Sequence, residues 1–124
     1  DPGNVQAHSN LGMLYVHIGD FPQAISHYNR AVELKPDHYY AYANRANYYF
    51  RIQELDAAIA DAHKALQIKQ NGREAAALLA IIYALRADEE NQKKYFHIAL
   101  ASGQNGRELN AAIEYYKTEL YAET

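Results

Sequence analysis

Small, aromatic and terminating residues recur through the first 36 positions at helical period. Along His8-x-x-Leu11-Gly12-x-x-Tyr15, and again along Ala24-x-x-x-Tyr28-x-x-Ala31, the landmark side chains return every three or four residues, the separation that stacks them on one face of an α-helix. Gly19-Asp20 breaks the first run before Phe21-Pro22 opens the second. Proline is tolerated there because the N–H it lacks has no partner in a first helical turn. Pro36 ends the second run, since a proline pushes the residue before it out of helical backbone. Two antiparallel helices approach closely only where small side chains meet, and Gly12, Ala24 and Ala31 would supply those contacts, with Tyr15 and Tyr28 filling the flanking volume. The pattern predicts a helical hairpin with one apolar face left uncovered, a unit that needs neighbours.

Adding 34 to each landmark finds them. His8, Leu11, Gly12, Tyr15, Ala24, Tyr28 and Ala31 map onto Tyr42, Arg45, Ala46, Tyr49, Ala58, Ala62 and Ala65, and a second step reaches Ala76, Leu79, Ala80, Tyr83, Gln92, Phe96 and Ala99. Small residues return at the close contacts, and a tyrosine returns at the packing site as Tyr15, Tyr49 and Tyr83. The words Asn71-Gly72-Arg73-Glu74 and Asn105-Gly106-Arg107-Glu108 are identical and again 34 apart. The third unit departs at Gln92, where a small residue is expected, and has no glycine in its inner turn Arg86-Ala87-Asp88-Glu89; a shifted or lengthened second helix is expected there. From Arg107 onward there is room for one helix, with Leu109, Ala112, Ile113, Tyr116 and Leu120 on a single apolar stripe. Glu114 and Lys117 stand where the earlier units have a small residue and a tyrosine, which suits a helix with no partner after it.

Three copies of this pattern in one register resemble the tetratricopeptide repeat, a helix–turn–helix unit of about 34 residues. The resemblance implies an all-α fold, a right-handed α-solenoid of three repeats plus a C-terminal capping helix. Seven helices follow, at about 4–18, 22–34, 38–51, 55–68, 72–86, 89–102 and 106–121. Residues 1–124 are expected to be one domain, with repeats at about 5–38, 39–72 and 73–106 and the cap at about 107–122. Pro2 lies 34 residues before Pro36, so Asp1-Pro2-Gly3-Asn4 reads as the closing turn of a preceding repeat, and a fragment excised from a longer array is the expectation.

Composition narrows the function classes. Of 124 residues, 49% are hydrophobic and 22% charged, a balance typical of globular proteins. A net charge of −3 with both signs dispersed offers no basic stripe for phosphates, so nucleic acid is not an expected partner. The chain has no cysteine, which excludes disulfides and thiolate chemistry and leaves the redox compartment open. The longest apolar runs, such as that from Ala75 to Leu85, are far short of the roughly 20 residues of a membrane helix. With no signal-peptide pattern, a cytoplasmic location is favoured over export while the compartment stays unknown.

The candidate chemistry is recognition rather than catalysis. In tetratricopeptide arrays ligands usually lie along the concave face, which is lined by the first helix of each pair. Carried over by register, its residues are Gln6, Ser9, Asn10, Met13 and His17, then Tyr40, Ala43, Asn44, Asn47 and Arg51, then Glu74, Leu78, Ile81 and Leu85. Asn44 and Asn47, three apart on one helix face, can donate to and accept from a peptide backbone. Arg51 beside them could take a carboxylate through its fork. Leu78, Ile81 and Leu85 would floor an apolar end, or else pack against the capping helix. Tyr40, in the cluster Tyr39-Tyr40-x-Tyr42, suits a recognition surface. The second repeat, with Tyr42-Ala43-Asn44-Arg45-Ala46, also resembles repeats of co-chaperones that clamp the C-terminal carboxylate of heat-shock chaperones. That clamp uses a lysine where this chain has Ser9, asparagines at Met13 and Asn44, a lysine at Glu74 and a basic residue at Leu78. Only Asn44 fits, so no chaperone-tail binding of the usual kind is expected.

Other signals lead elsewhere. His8, His17, His27, His38, His63 and His97 include no HExxH and no pair three or four apart, and no metal or cofactor is expected. No nucleophile elbow or glycine-rich phosphate loop is present, so no enzyme activity is expected. The reading is a protein-interaction module that binds a peptide or helix of a partner protein in its groove. The alternative is a structural spacer or a unit that self-associates through the exposed face of its first repeat.

Overall fold

The computed structural model describes residues 4–119. Within them lie seven α-helices and no strand: α1 (Val5–His17), α2 (Phe21–Leu34), α3 (Tyr39–Arg51), α4 (Leu55–Ile68), α5 (Arg73–Leu85), α6 (Glu89–Ala101) and α7 (Gly106–Glu119). None is long and apolar enough to cross a membrane. The chain divides into two compact units, residues 1–68 and 69–124. Asp1, Pro2 and Gly3, and Leu120 of the expected C-terminal stripe, lie outside the described residues.

In the first unit α1 packs on α2 and α3 on α4, and the second hairpin seats on the first through α2 and α1 against α3. Ala24, Ala31, Ala46, Ala58, Ala62 and Ala65 are fully buried, which is the close helix approach that the small residues predict. Gly12 makes a close contact of the same kind. A Cβ built on it would sit 2.7 Å from the ring of Tyr28, so the tyrosine occupies the space the missing side chain leaves. In the second unit α5 packs on both α6 and α7, with Leu79, Ile82, Leu109 and Ile113 buried.

The inner turns of the three hairpins are built alike. Each helix ends on a residue with left-handed backbone, Gly19 (φ 82°), Gln53 (φ 63°) and Ala87 (φ 57°). The following N–H reaches five residues back, from Asp20 to the Tyr15 carbonyl, Glu54 to Tyr49 and Asp88 to Tyr83, each at 2.9 Å. This is the Schellman closure, which satisfies carbonyls that the helix end leaves unbonded. Asp20 and Asp88 then accept from the backbone N–H of Gln23 and Asn91 and cap the next helix, as Asn4, His38 and Asn105 cap α1, α3 and α7.

The structure corrects one expectation here. α6 begins at Glu89, 34 residues after Leu55 opens α4, and it is 13 residues long against 14 for α4; it is neither shifted nor lengthened. Ala87 adopts the left-handed turn that glycine makes in the first hairpin, so the turn keeps its length. Gln92 stays half-buried in the first turns of the helix, while Tyr95 takes the buried place one residue before the expected Phe96.

Two substitutions test this account. Ala87→Gly relieves a left-handed alanine, which costs roughly 1–2 kcal/mol, partly offset by the flexibility glycine adds to the unfolded chain. A net gain of up to about 1 kcal/mol in denaturant unfolding is expected, and a loss would contradict the turn assignment. Gly12→Ala should cost about 1–3 kcal/mol through overpacking against Tyr28. The cost should shrink in a Tyr28→Leu background, where the ring is gone.

Candidate functional site

The first unit contains a cleft of about 240 Å³ lined by Met13, Val16, His17, Tyr28, Asn44, Asn47, Tyr48 and Arg51. Its lining follows from the hairpin geometry. Asn44, Asn47 and Arg51 rise at three- and four-residue steps along one face of α3, and Met13 and His17 do the same along α1. Tyr28 comes through the gap left by Gly12, and its ring lies 5.8 Å from that of Tyr48, so two aromatic rings wall the cleft between the helices. The polar groups sit at its rim. Arg51 and His17 occupy the last turns of α3 and α1, and no acidic residue lines the cleft.

Electrostatics agree with this layout. Burial pushes the Tyr28 hydroxyl from about 10 up to about 12, and the nearby positive charge of Arg51 pulls it partly back. The phenol is therefore a neutral donor and acceptor at neutral pH. It stands beside a cation that has no carboxylate partner in the cleft.

The sequence-derived groove residues divide into several groups. Met13, His17, Asn44, Asn47 and Arg51 come together around the cleft. Asn10 and Gln6 are exposed one turn away, where the Gln6 amide donates to Asn10 Oδ1 at 3.0 Å. Tyr40 is exposed and lies outside the cleft, its ring edge-on to Tyr39 at 4.8 Å. Ser9 is buried, its hydroxyl without a hydrogen-bond partner among the described residues, and Ala43 is buried too. In the second unit Leu78 is buried in the core, while Ile81 and Leu85 are half-buried on α5 and Glu74 is half-buried. Leu85 borders a separate shallow cleft of about 290 Å³ with Glu89, Gln92 and Lys117.

Three features escape a residue-by-residue reading. The first is the aromatic wall, whose Tyr28 and Tyr48 look like core positions and are buried, yet show an edge to the cleft. The second is a pair of histidines. His8 on α1 and His27 on α2 meet with their Nδ1 atoms 3.0 Å apart, and the His27 ring stacks on Tyr15 at 5.4 Å. Searching for histidines three or four apart on one helix cannot find a pair formed between helices. Among the described residues no three His, Cys, Asp or Glu side chains gather as a metal site would require. The third is an ion pair between Arg45 and Asp61, bidentate at 2.7 and 2.8 Å, with Arg45 also donating to Asn29 Oδ1 at 3.0 Å. The hydrogen bonds that Arg45 donates to Asp61 raise the guanidinium pKa against the opposing effect of burial, and the Tyr42 and Tyr49 rings flank it at 5.7 and 6.0 Å. It joins α3 to α4 and to α2.

Comparison with known proteins fits this architecture. Residues 5–38 match the family model for the tetratricopeptide repeat. That segment is one tetratricopeptide repeat. The match spans α1 and α2, the hairpin that supplies half of the cleft. The fold as a whole is that of solved tetratricopeptide-repeat domains. It is similar to the first such domain of Spaghetti (RPAP3) bound to the HSP90 peptide SRMEEVD, with a TM-score of 0.81, 21% identity and coverage of 97% of this chain and 95% of that one. It is also similar to the TPR2B domain of yeast Sti1 in complex with an Hsp70 peptide, at a TM-score of 0.79 and 20% identity over 93% of this chain and 97% of that one. The N-terminal domain of stress-induced protein-1 (STI-1) from C. elegans gives 0.73 and 22%, over 91% and 94%. No curated protein matches the chain.

The raised Tyr28 value predicts how the repeat responds to alkali. The folded state holds this phenolic proton more tightly than the unfolded state does. The stability it contributes is therefore complete below pH 10 and is lost as pH climbs from about 10 to about 12. In an ultraviolet titration of the tyrosines, Tyr28→Phe should remove a late-ionising step. It should also lessen the fall in stability across that window, and an unchanged titration would refute the burial account.

Proposed function

We propose that this chain is a non-catalytic protein-interaction module, one tetratricopeptide domain of three repeats with α7 as its cap, and that it binds an extended, acidic segment of a partner protein. The observation that carries the reading is the convergence of Asn44, Asn47 and Arg51 on one cleft backed by aromatic rings. Paired amides can hold a peptide backbone by donating and accepting at once. A guanidinium with no carboxylate beside it in the cleft is a ready fork for an Asp, Glu or terminal carboxylate. The volume suits one or two ligand side chains against Met13, Val16, Tyr28 and Tyr48, an apolar wall with a few convergent polar groups.

The solved domains in complex with HSP90 and Hsp70 peptides support peptide binding as the activity of this fold without fixing the ligand. The residues here argue against a chaperone tail held in the usual way. Of the clamp positions, Ser9 and Leu78 are buried, Met13 is apolar and Glu74 is acidic, which leaves Asn44 alone. Recognition would rest instead on Arg51 and His17, at the ends of α3 and α1.

An array of acidic, neutral and basic peptides, followed by fluorescence anisotropy on the hits, tests the proposal. Acidic peptides should bind best. Arg51→Ala, and separately the Asn44→Ala and Asn47→Ala pair, should each weaken binding about 10-fold or more with helical content unchanged, while Tyr40→Ala, outside the cleft, should have little effect. Equal binding to all variants would place recognition elsewhere.

A further inference from the structure

We propose that Asn71 is a site of spontaneous covalent modification, where the side-chain amide is lost and a carboxylate takes its place, and that folding spares the identical sequence at Asn105. The words Asn71-Gly72-Arg73-Glu74 and Asn105-Gly106-Arg107-Glu108 are the same, so each asparagine precedes a glycine. Glycine has no Cβ to shield its own nitrogen or to restrict its backbone. That nitrogen can therefore turn onto the side chain of the residue before it.

The step needs no reagent but water. The Gly72 backbone nitrogen loses its proton and bonds to Cγ of Asn71; the Cγ–Nδ2 bond breaks, and the departing nitrogen takes up that proton and leaves as ammonia. Water then opens the cyclic imide at either carbonyl. Opening on one side gives aspartate, and opening on the other gives isoaspartate, in which the main chain runs through Cγ. The net change converts an amide and a water into a carboxylic acid and an ammonia, with nothing oxidised or reduced.

Local sequence cannot separate the two asparagines, but the structure does. Both lie in the second unit. Ring closure turns the peptide plane between asparagine and glycine and swings the asparagine side chain over it. At Asn105 both parts are tied down, because Oδ1 accepts from the Glu108 N–H and the carbonyl accepts from the Leu109 N–H, each at 3.0 Å. Helix α7 starts at Gly106, whereas α5 starts one place later in the same word, at Arg73, with Gly72 as its cap. Asn71 is thereby left outside the helix, exposed in a turn. Gly72 is buried and donates to the Lys69 carbonyl at 3.1 Å, so this turn must open before base reaches the nitrogen. A turn bond opens at Asn71, whereas a side-chain cap and the first carbonyl bond of a helix must open together at Asn105.

The product changes the entry to α5. Aspartate brings a negative charge to the positive end of a helix whose glycine cap offers no side chain. Isoaspartate adds a carbon to the backbone of the turn and displaces the Gly72 N–H from the Lys69 carbonyl.

Peptide mapping of the folded chain tests the proposal. Aged in warm, mildly alkaline buffer and then cleaved after glutamate, the chain yields peptides 55–74 and 91–108, each with one Asn-Gly pair. The mass gain of amide-to-acid conversion should accumulate at Asn71 about 5-fold faster than at Asn105, with fragment ions locating it and isoaspartate forming alongside aspartate. In concentrated denaturant, where neither set of bonds survives, the two rates should converge. Equal rates in the folded chain, faster conversion at Asn105, or an Asn71 amide that survives folding intact would each overturn the proposal. So would a difference that persists in denaturant, which would belong to the flanking sequence rather than to the fold.

Discussion

The close approach of paired helices is the constraint from which the rest of this molecule follows. It is met by keeping at least one of two facing positions in each hairpin small. Gly12 has no side chain, and Tyr28 fills that space with a buried ring. One repeat on, Ala46 faces a helix that carries Ala62 in place of the tyrosine, and both alanines are fully buried. In the second unit Ala80 is fully buried and its counterpart Phe96 is half-buried. At least one member of each pair is glycine or alanine, which keeps the helices close; the fully seated ring of Tyr28 goes with glycine, while Phe96 opposite an alanine is only half-buried. The glycine–tyrosine version leaves an aromatic edge beside α3, and that edge is the back wall of the cleft.

A second slot recurs between the helices of each hairpin and is filled by three different chemistries. In the first repeat Tyr15 stacks on His27, with planes 6° apart. In the third, the equivalent Tyr83 stacks on Tyr95 at 5.7 Å and 15°. In the second, the tyrosine is kept as Tyr49 but its partner position holds Asp61, and Arg45 reaches in between, bonded to the carboxylate and lying over the ring. An acid placed in a slot built for an aromatic would be a buried charge without compensation. Arg45 supplies the compensation from the position where the first repeat has Leu11 and the third has Leu79. The two departures from the repeat pattern, at 45 and 61, therefore belong to one substitution.

Much of the fold was legible because its signals are local or strictly periodic. Helix ends within the described residues fall within about a residue of the expected positions, since Gly19, Pro22 and Asp20 act on their immediate neighbours. The spacing of 34 carries that information into repeats whose own residues are less telling. Ala87 misled only because alanine rarely takes left-handed backbone; the hydrogen bonds of the turn outweigh the strain. The site was less legible for a different reason. Register places a residue on a helix face but does not say how far the neighbouring helix covers that face. Asn44, Asn47 and Arg51 lie beyond the cover and line the cleft, whereas Ser9 and Leu78 lie under it. The pairings of His8 with His27 and of Arg45 with Asp61 join residues 19 and 16 apart, distances at which no helix-periodic search operates.

Tyr48 shows why the cleft and the repeat seam cannot be separated. Its ring packs on Ala24 and Tyr28, which fixes α3 against the first hairpin, and one edge of that same ring lines the cleft. The amides of Asn44 and Asn47 project from the helix so fixed, within four residues of the tyrosine. Their separation from Met13 and His17 is therefore set by the packing between hairpins rather than by any loop. A site held on helix faces in this way is rigid before a ligand arrives, which reduces the ordering cost of binding.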